Sequence, residues 1–367
     1  MALFKYEAVT AKCRCLYGKL LDGGDYRKLL SCPEVSDVAA YLYENTAYRE
    51  FFGASDLKKI NRSKLEYYIK KSLLSDYLKI FRFTCGSQRY FVNLLMAKYE
   101  LEYILKVWRE YVWRNMENNP VRKEDDYYLL GEGILEIQAI YKDKPHIDFE
   151  ALKNFTTAEQ FLKAIKNSNF FYIFERHTGE DISKNYTTIE TAVYDEYYKI
   201  LYDGAKVFEK KTREEIRNSV STRADLINLC RIFRLKFNFK ASPAEIMPLL
   251  LPLRNKLKQP DIEALVNCGE RESFLAYCEA NLYYSKKQSF YGCDSMFAYM
   301  NSFMYRYCKS ANLSASGFES VARYFQLKEF EIMNLFYLTE GIRYSMPPDY
   351  IRKNIYAQIQ AEKFTNF

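Results

Sequence analysis

Histidine, cysteine and paired carboxylates carry most protein chemistry, and this chain spaces them in ways that build little of it. His146 and His177 are the two histidines, and neither has a second histidine or a cysteine three or four residues away, the spacing that sets two ligands on one helix face. Of the nine cysteines the close pair is Cys13-Arg14-Cys15, and no C-x-x-C occurs, so a structural metal site is not expected. Gly18-Lys19 runs into Leu20 without the upstream glycine of a phosphate loop. Gly131-Glu132-Gly133 continues as Ile134, Leu135 and Glu136, lacking the third glycine of a dinucleotide turn. There is no G-x-S-x-G and no H-E-x-x-H. Asp125-Asp126 and Glu214-Glu215 lie in mixed-charge stretches and read as solvated helix starts. The expectation is no catalytic residue, no cofactor and no metal.

The elements that would have to position any functional group are helices. The 367 residues include only 13 glycines and 9 prolines, and 49% are hydrophobic against 28% charged. Few turns and long elements argue for an all-α chain and against sandwiches, barrels and Gly-rich nucleotide folds. Ser/Thr followed three residues later by Glu/Gln predicts helix starts at Ser63/Glu66, Thr157/Gln160, Thr187/Glu190, Thr212/Glu215, Ser242/Glu245 and Ser316/Glu319. Pro243 after Ser242 suits a first helical position. Leu65, Ile69, Leu73, Tyr77 and Phe81 form one apolar stripe. Leu94, Leu101, Leu105, Trp108 and Val112 form another, and Met296, Met300, Phe303 and Tyr307 a third. The 34 tyrosines and 26 phenylalanines read as core packing plus biased codon usage.

One helical plan recurs. Glu100-Leu101-Glu102-Tyr103-Ile104-Leu105-Lys106-Val107-Trp108-Arg109 matches Asp225-Leu226-Ile227-Asn228-Leu229-Cys230-Arg231-Ile232-Phe233-Arg234 in the order of acid, Leu, base, aromatic and Arg. A third version opens Glu331-Ile332-Met333-Asn334-Leu335. Upstream, Tyr41-Leu42, Phe161-Leu162 and Phe274-Leu275 align as a second repeated element, with Phe170-Phe171 and Tyr283-Tyr284 behind the later two. Each copy runs short helix, middle helix, acid–Leu helix. Three helical domains are expected at 1–115, 116–240 and 241–367, with linkers at Asn118 to Asp126 and Asn238 to Pro243. Closed around a shared axis, three such domains would suit gripping something axial.

Charge and leader signals narrow the partners. The net charge is +7, and residues 1–115 carry all of that excess, with 20 basic against 13 acidic residues. Lys58, Lys59, Arg62, Lys64, Lys70 and Lys71 come nearest to a nucleic-acid stripe, but they read as an exposed loop and helix face. No apolar run approaches the ~20 residues of a membrane span, and the start has charges where a secretory signal would be apolar. A cytosolic protein with reduced thiols is expected.

The chain also resembles a family. Glu331-Ile332-Met333-Asn334-Leu335, Glu340-Gly341-Ile342-Arg343-Tyr344, Pro347-Pro348 and Ile351 are similar to the ending of the non-catalytic C-type subunit of prokaryotic V-type (A/V-type) ATPases, which is homologous to the d-type subunit of the eukaryotic enzymes. Tyr6, Ala8, Ala11, Arg14 and Leu20-Leu21 resemble its opening helix, and Leu226 to Arg234 its middle helix. Departures occur at Arg234-Leu235-Lys236-Phe237, where the family often has a glycine, and at Trp108-Arg109-Glu110. The resemblance implies an all-α funnel of three pseudo-equivalent domains on the cytoplasmic face of the proteolipid rotor ring. It would hold the central shaft and transmit torque without chemistry of its own. Arg109, Arg234, Arg343 and Tyr344 are the candidate socket residues, against the alternative that these arginines merely end helices. A helical interaction scaffold unrelated to ATPases is the other reading.

Overall fold

The computed structural model describes residues 6–53, 56–115, 146–177, 182–283, 296–310 and 317–355, and every regular element within them is helical. In chain order they are α1 Glu7–Tyr17, α2 Gly23–Leu29, α3 Val35–Asn45, α4 Arg49–Phe52, α5 Arg62–Phe81 and α6 Gly86–Asn115. A second run follows with α7 Phe149–Asn154, α8 Ala158–Ala164, α9 Phe171–His177, α10 Ile182–Gly204 and α11 Lys210–Phe233. The third comprises α12 Pro243–Ile246, α13 Gln259–Asn267, α14 Arg271–Asn281, α15 Met296–Ser310, α16 Glu319–Arg343 and α17 Pro348–Asn354. Short helices, a long helix and then the acid–Leu helix (α6, α11, α16) therefore occur three times in that order.

Helix starts show which local signals the chain obeys. Thr157 caps α8, accepting from the Gln160 amide at 3.3 Å. Ser242 forms the expected box with Glu245, whose carboxylate accepts from the Ser242 amide at 2.8 Å, with Pro243 in the first turn. Three expected starts are displaced. Asn61, not Ser63, caps α5, accepting from the Lys64 amide at 2.9 Å. Glu209 precedes α11, and the Thr212 hydroxyl turns back to the Glu209 carboxylate. Thr187 lies inside α10. A Ser or Thr in a first turn is tolerated there, so the pattern fires again one turn too late. Ser316 and the segment Asn118 to Asp126 lie outside the described residues.

The chain forms two compact units, residues 1–197 with 324–367, and residues 198–323. In the first, the α5 stripe of Leu65, Ile69, Leu73 and Tyr77 is buried, as is the α6 stripe through Leu101, Leu105 and Trp108. Trp108 packs 4.7 Å from the Phe161 ring, and the Tyr77 ring stacks on Phe325 at 3.6 Å between centroids. In the second unit, Leu226, Leu229 and Ile232 of α11 are buried, as are Ile262, Leu265 and Phe274, and Phe208 stacks on Phe318 at 4.8 Å. Such fully buried aromatic side chains contribute the largest apolar areas to both cores.

Candidate partner-binding surfaces

The acid that opens each repeated helix motif is buried, and its carboxylate holds the segment that begins a run of short helices. Asp225 accepts from the backbone amides of Asn255, Lys256 and Leu257 at 3.1, 2.7 and 2.9 Å, and from the Tyr283 hydroxyl at 2.6 Å. Glu331 accepts from the Leu21 amide at 2.5 Å and the Tyr48 hydroxyl at 2.7 Å, with the Lys328 ammonium 2.7 Å away. Glu100 lies 3.3 Å from His146 Nδ1, just ahead of α7. So the first acid lies beside the segment before α7, the second holds the segment before α13, and the third reaches back to the segment before α2. A buried carboxylate must be compensated by donors, and backbone amides in a row do this without adding charge.

Asn three residues after the acid adds to the grip in two copies. Asn228 donates to the Leu251 carbonyl at 3.0 Å and accepts from its amide at 2.8 Å. Asn334 donates to the Tyr26 hydroxyl at 3.4 Å. The short helices are tied alike. Tyr41 donates to Asp25 at 2.9 Å and Tyr277 to Asp261 at 2.8 Å. That match makes Tyr277, rather than Phe274, the counterpart of Tyr41. A register shift of three residues stays on one helix face, so the hydrophobic pattern alone does not detect it.

Tyrosine thus does more than fill the core. Tyr48, Tyr99, Tyr283 and Tyr324 donate to Glu331, Glu329, Asp225 and Asp76 at 2.7, 3.0, 2.6 and 2.6 Å. Burial, and behind it the neighbouring carboxylate, push all four phenols up. The phenol is a neutral donor at physiological pH, so at Asp225 it satisfies a buried acid without a second buried charge. His146 differs: its hydrogen bond to Glu100 raises its pKa above the ordinary 6.5. A cavity of about 20 Å³, room for one water, borders Ser72, Asp76, Tyr324 and Lys328.

At the far ends of the acid helices two tips share one construction. α16 closes with Ser345 in the left-handed region at φ 51°, the Met346 amide bonding to the Gly341 carbonyl five residues back at 2.8 Å. α11 closes through a π-turn, Arg234–Asn238, into Lys240 at φ 55°, and the Ala241 amide bonds to the Leu235 carbonyl six residues back at 3.0 Å. Lys240 stands fifteen residues after Asp225, and Ser345 fourteen after Glu331. The π-turn therefore absorbs one extra residue. Just before each left-handed residue sits an exposed aromatic ring under a guanidinium. Arg234 lies 5.3 Å from the Phe239 ring, which is 62% exposed, and Arg343 lies 5.3 Å from the Tyr344 ring, 63% exposed. Prolines then open α12 and α17.

Of the four residues singled out by sequence, Arg343 and Tyr344 therefore share one tip and Arg234 occupies the other. Arg109 stands apart, within α6 rather than at its end, bonding the Tyr186 hydroxyl from Nε and Nη2 at 2.9 and 2.7 Å. Arg109 and Arg234 both fall nine residues after their acid; in the third copy that place is Glu340, which pairs with Arg62. Arg343 lies three residues beyond, 3.8 Å from Glu340. Phe239, Met346 and Tyr350 complete the exposed tips and were missed in the sequence, where only the prolines behind them gave a signal. Among the described residues no group of His, Cys, Asp and Glu is placed to hold a metal ion, and no helix is long and apolar enough to cross a membrane.

Comparison with known proteins adds to this geometry. A family model described as ATP synthase (C/AC39) subunit matches residues 9–354. The C-type subunit of the A-type ATP synthase of Archaeoglobus fulgidus is 22% identical over 357 residues, covering 95% of either chain. The like-named protein of Methanosarcina mazei is 22% identical over 260 residues, 71% of this chain and 67% of its own length. That of Thermococcus kodakarensis is 23% identical over 279 residues, 76% and 68%.

Proposed function

Because the chain belongs to the ATP synthase (C/AC39) subunit family, we propose that this non-catalytic subunit is the socket of a rotary A/V-type ATPase. It receives the central shaft and passes torque to the membrane proteolipid ring. The observation that carries the reading is the cyclic order of the buried acids, in which Glu100, Asp225 and Glu331 meet the segments ahead of α7, α13 and α2. In this reading three domains, near 1–115, 116–240 and 241–367, surround the shaft. Directional hydrogen bonds such as those of Asp225 and Glu331 stiffen such a frame more than sliding apolar contacts do.

In this reading Arg109, Arg234, Arg343 and Tyr344 meet acidic groups of the shaft or ring, and the protein sits peripherally on the cytoplasmic face. Tagged protein recovered in mild detergent from its host's membranes is expected to bring down the nucleotide-binding head, the shaft and the proteolipid ring, identified by mass spectrometry. A clean preparation lacking all three, from cells that make them, leaves a helical interaction scaffold as the function. Changing the three arginines to alanine is expected to weaken shaft recovery while the far-UV helical signal stays intact; unchanged recovery removes them from the contact.

A further inference from the structure

A second charged surface lies at the N-terminal end of α6. From Tyr77 to Tyr99 the chain has no acidic residue, and none lies between Glu7 and Asp22 in the α1 region. The two stretches meet where α5 turns into α6: Lys12 of α1 lies 5.7 Å from the Phe83 ring, and Arg89 lies 4.7 Å from the Phe81 ring. Lys79 and Lys98, also in this stretch, are taken up by Glu50 and Glu329 at 2.5 and 2.7 Å. Lys12, Arg82 and Arg89 have no acidic partner among the described residues. Beside them Phe83 and Tyr90 are 48% and 45% exposed.

The corresponding turn of the second unit, between α10 and α11, supplies an internal control. There Phe208 is buried against Phe318, and Asp203 and Glu209 stand among the lysines. The fold therefore does not require a bare cationic–aromatic corner at this point.

We propose that the α5–α6 corner, through Lys12, Arg82, Arg89, Phe83 and Tyr90, binds the surface of a membrane rich in anionic phospholipid. Cations spread around two half-exposed rings match the headgroup region, where phosphate meets the first acyl carbons and aromatic side chains settle. The corner is the reversal of a helical hairpin with its side chains turned outward. Its exposed cations and rings stand at one helix reversal, which suits a broad anionic surface. The inference does not depend on the rotary reading, since the corner uses none of the socket residues.

Full-length protein sedimented with vesicles tests it directly. Binding is expected to phosphatidylcholine vesicles containing phosphatidylglycerol, to weaken with salt, and to be lost on pure phosphatidylcholine. Arg82→Glu with Arg89→Glu should lower the partition coefficient more than about tenfold, as each basic group near such a surface is worth about fivefold. Phe83→Ala with Tyr90→Ala should lower it severalfold and leave residual binding that salt fully reverses. Lys210→Glu with Lys211→Glu, at the turn of the second unit, should change it little. Equal binding to both vesicle types, or an equal loss in the Lys210/Lys211 variant, overturns the assignment. So does retention on poly-glutamate with the same variant dependence but none on vesicles, which would make the corner a protein contact. None of these outcomes bears on recovery of the rotor, so the two readings fail separately.

Discussion

Asp225 is fully buried and faces four donors, three of them consecutive backbone amides. Removing the carboxylate leaves those amides without an acceptor in a dry site, whereas removing only the Tyr283 hydroxyl deletes one bond. Asp225→Ala is expected to lower stability by about 3 kcal/mol or more and Tyr283→Phe by about 1 kcal/mol, read from urea unfolding midpoints. Equal losses would mean that the carboxylate is not the centre of the clamp. The acid was legible in the sequence as a repeated letter, but its task was not. Its partners lie 30 and more residues away, at 255–257 and 283, and leave no local spacing to read. The same holds for Tyr48, Tyr99, Tyr283 and Tyr324, whose acid partners lie far away in the sequence.

Helices as elements were legible because the apolar stripes of α5, α6 and α15 recur at helical spacing. Their ends were less so, since Asn61 and Glu209 stand ahead of the Ser and Thr that fit the box pattern. Gly341 has its own reason at this scale. A Cβ there would lie 2.5 Å from Ile351 Cγ1, so the glycine lets α17 fold back onto α16. Gly341→Ala gains about 1 kcal/mol of helix propensity but forces Ile351 off its seat at about 1–3 kcal/mol. The expected outcome is faster hydrogen exchange in 348–354 with little change in the global midpoint. Ile351→Ala in that background should restore protection. Unchanged exchange in the single variant would mean that α17 does not rest on this contact.

For the molecule as a whole, the raised phenols set an alkaline limit. The folded state keeps protons on Tyr48, Tyr99, Tyr283 and Tyr324 that the unfolded chain gives up near its ordinary value of 10. Their contribution is therefore complete below that value and is lost as pH rises past it. His146 acts earlier and with the same sign: its pairing with Glu100 is complete below 6.5 and fades as pH climbs through the raised folded value. Unfolding midpoints are expected to slip modestly as pH rises past about 6.5, and steeply above about pH 10. His146→Phe should flatten the first decline only, and a flat profile past about pH 10 would contradict the phenol–acid pairing.

The first compact unit is completed by residues from 324 onward, while the second is a continuous stretch from 198 to 323. Translation runs the other way from this architecture. While the ribosome is still making the middle of the chain, Asp76 waits for the Tyr324 phenol, and the Leu21 amide waits for a carboxylate 310 positions downstream. The inserted unit can close as soon as it emerges, but the host unit must hold an open, half-apolar surface through more than a hundred further residues, roughly 5–20 seconds or longer at ordinary elongation rates. That interval falls before assembly with any partner. It makes the newborn N-terminal half, rather than the finished protein, the form most dependent on chaperones and most exposed to proteases.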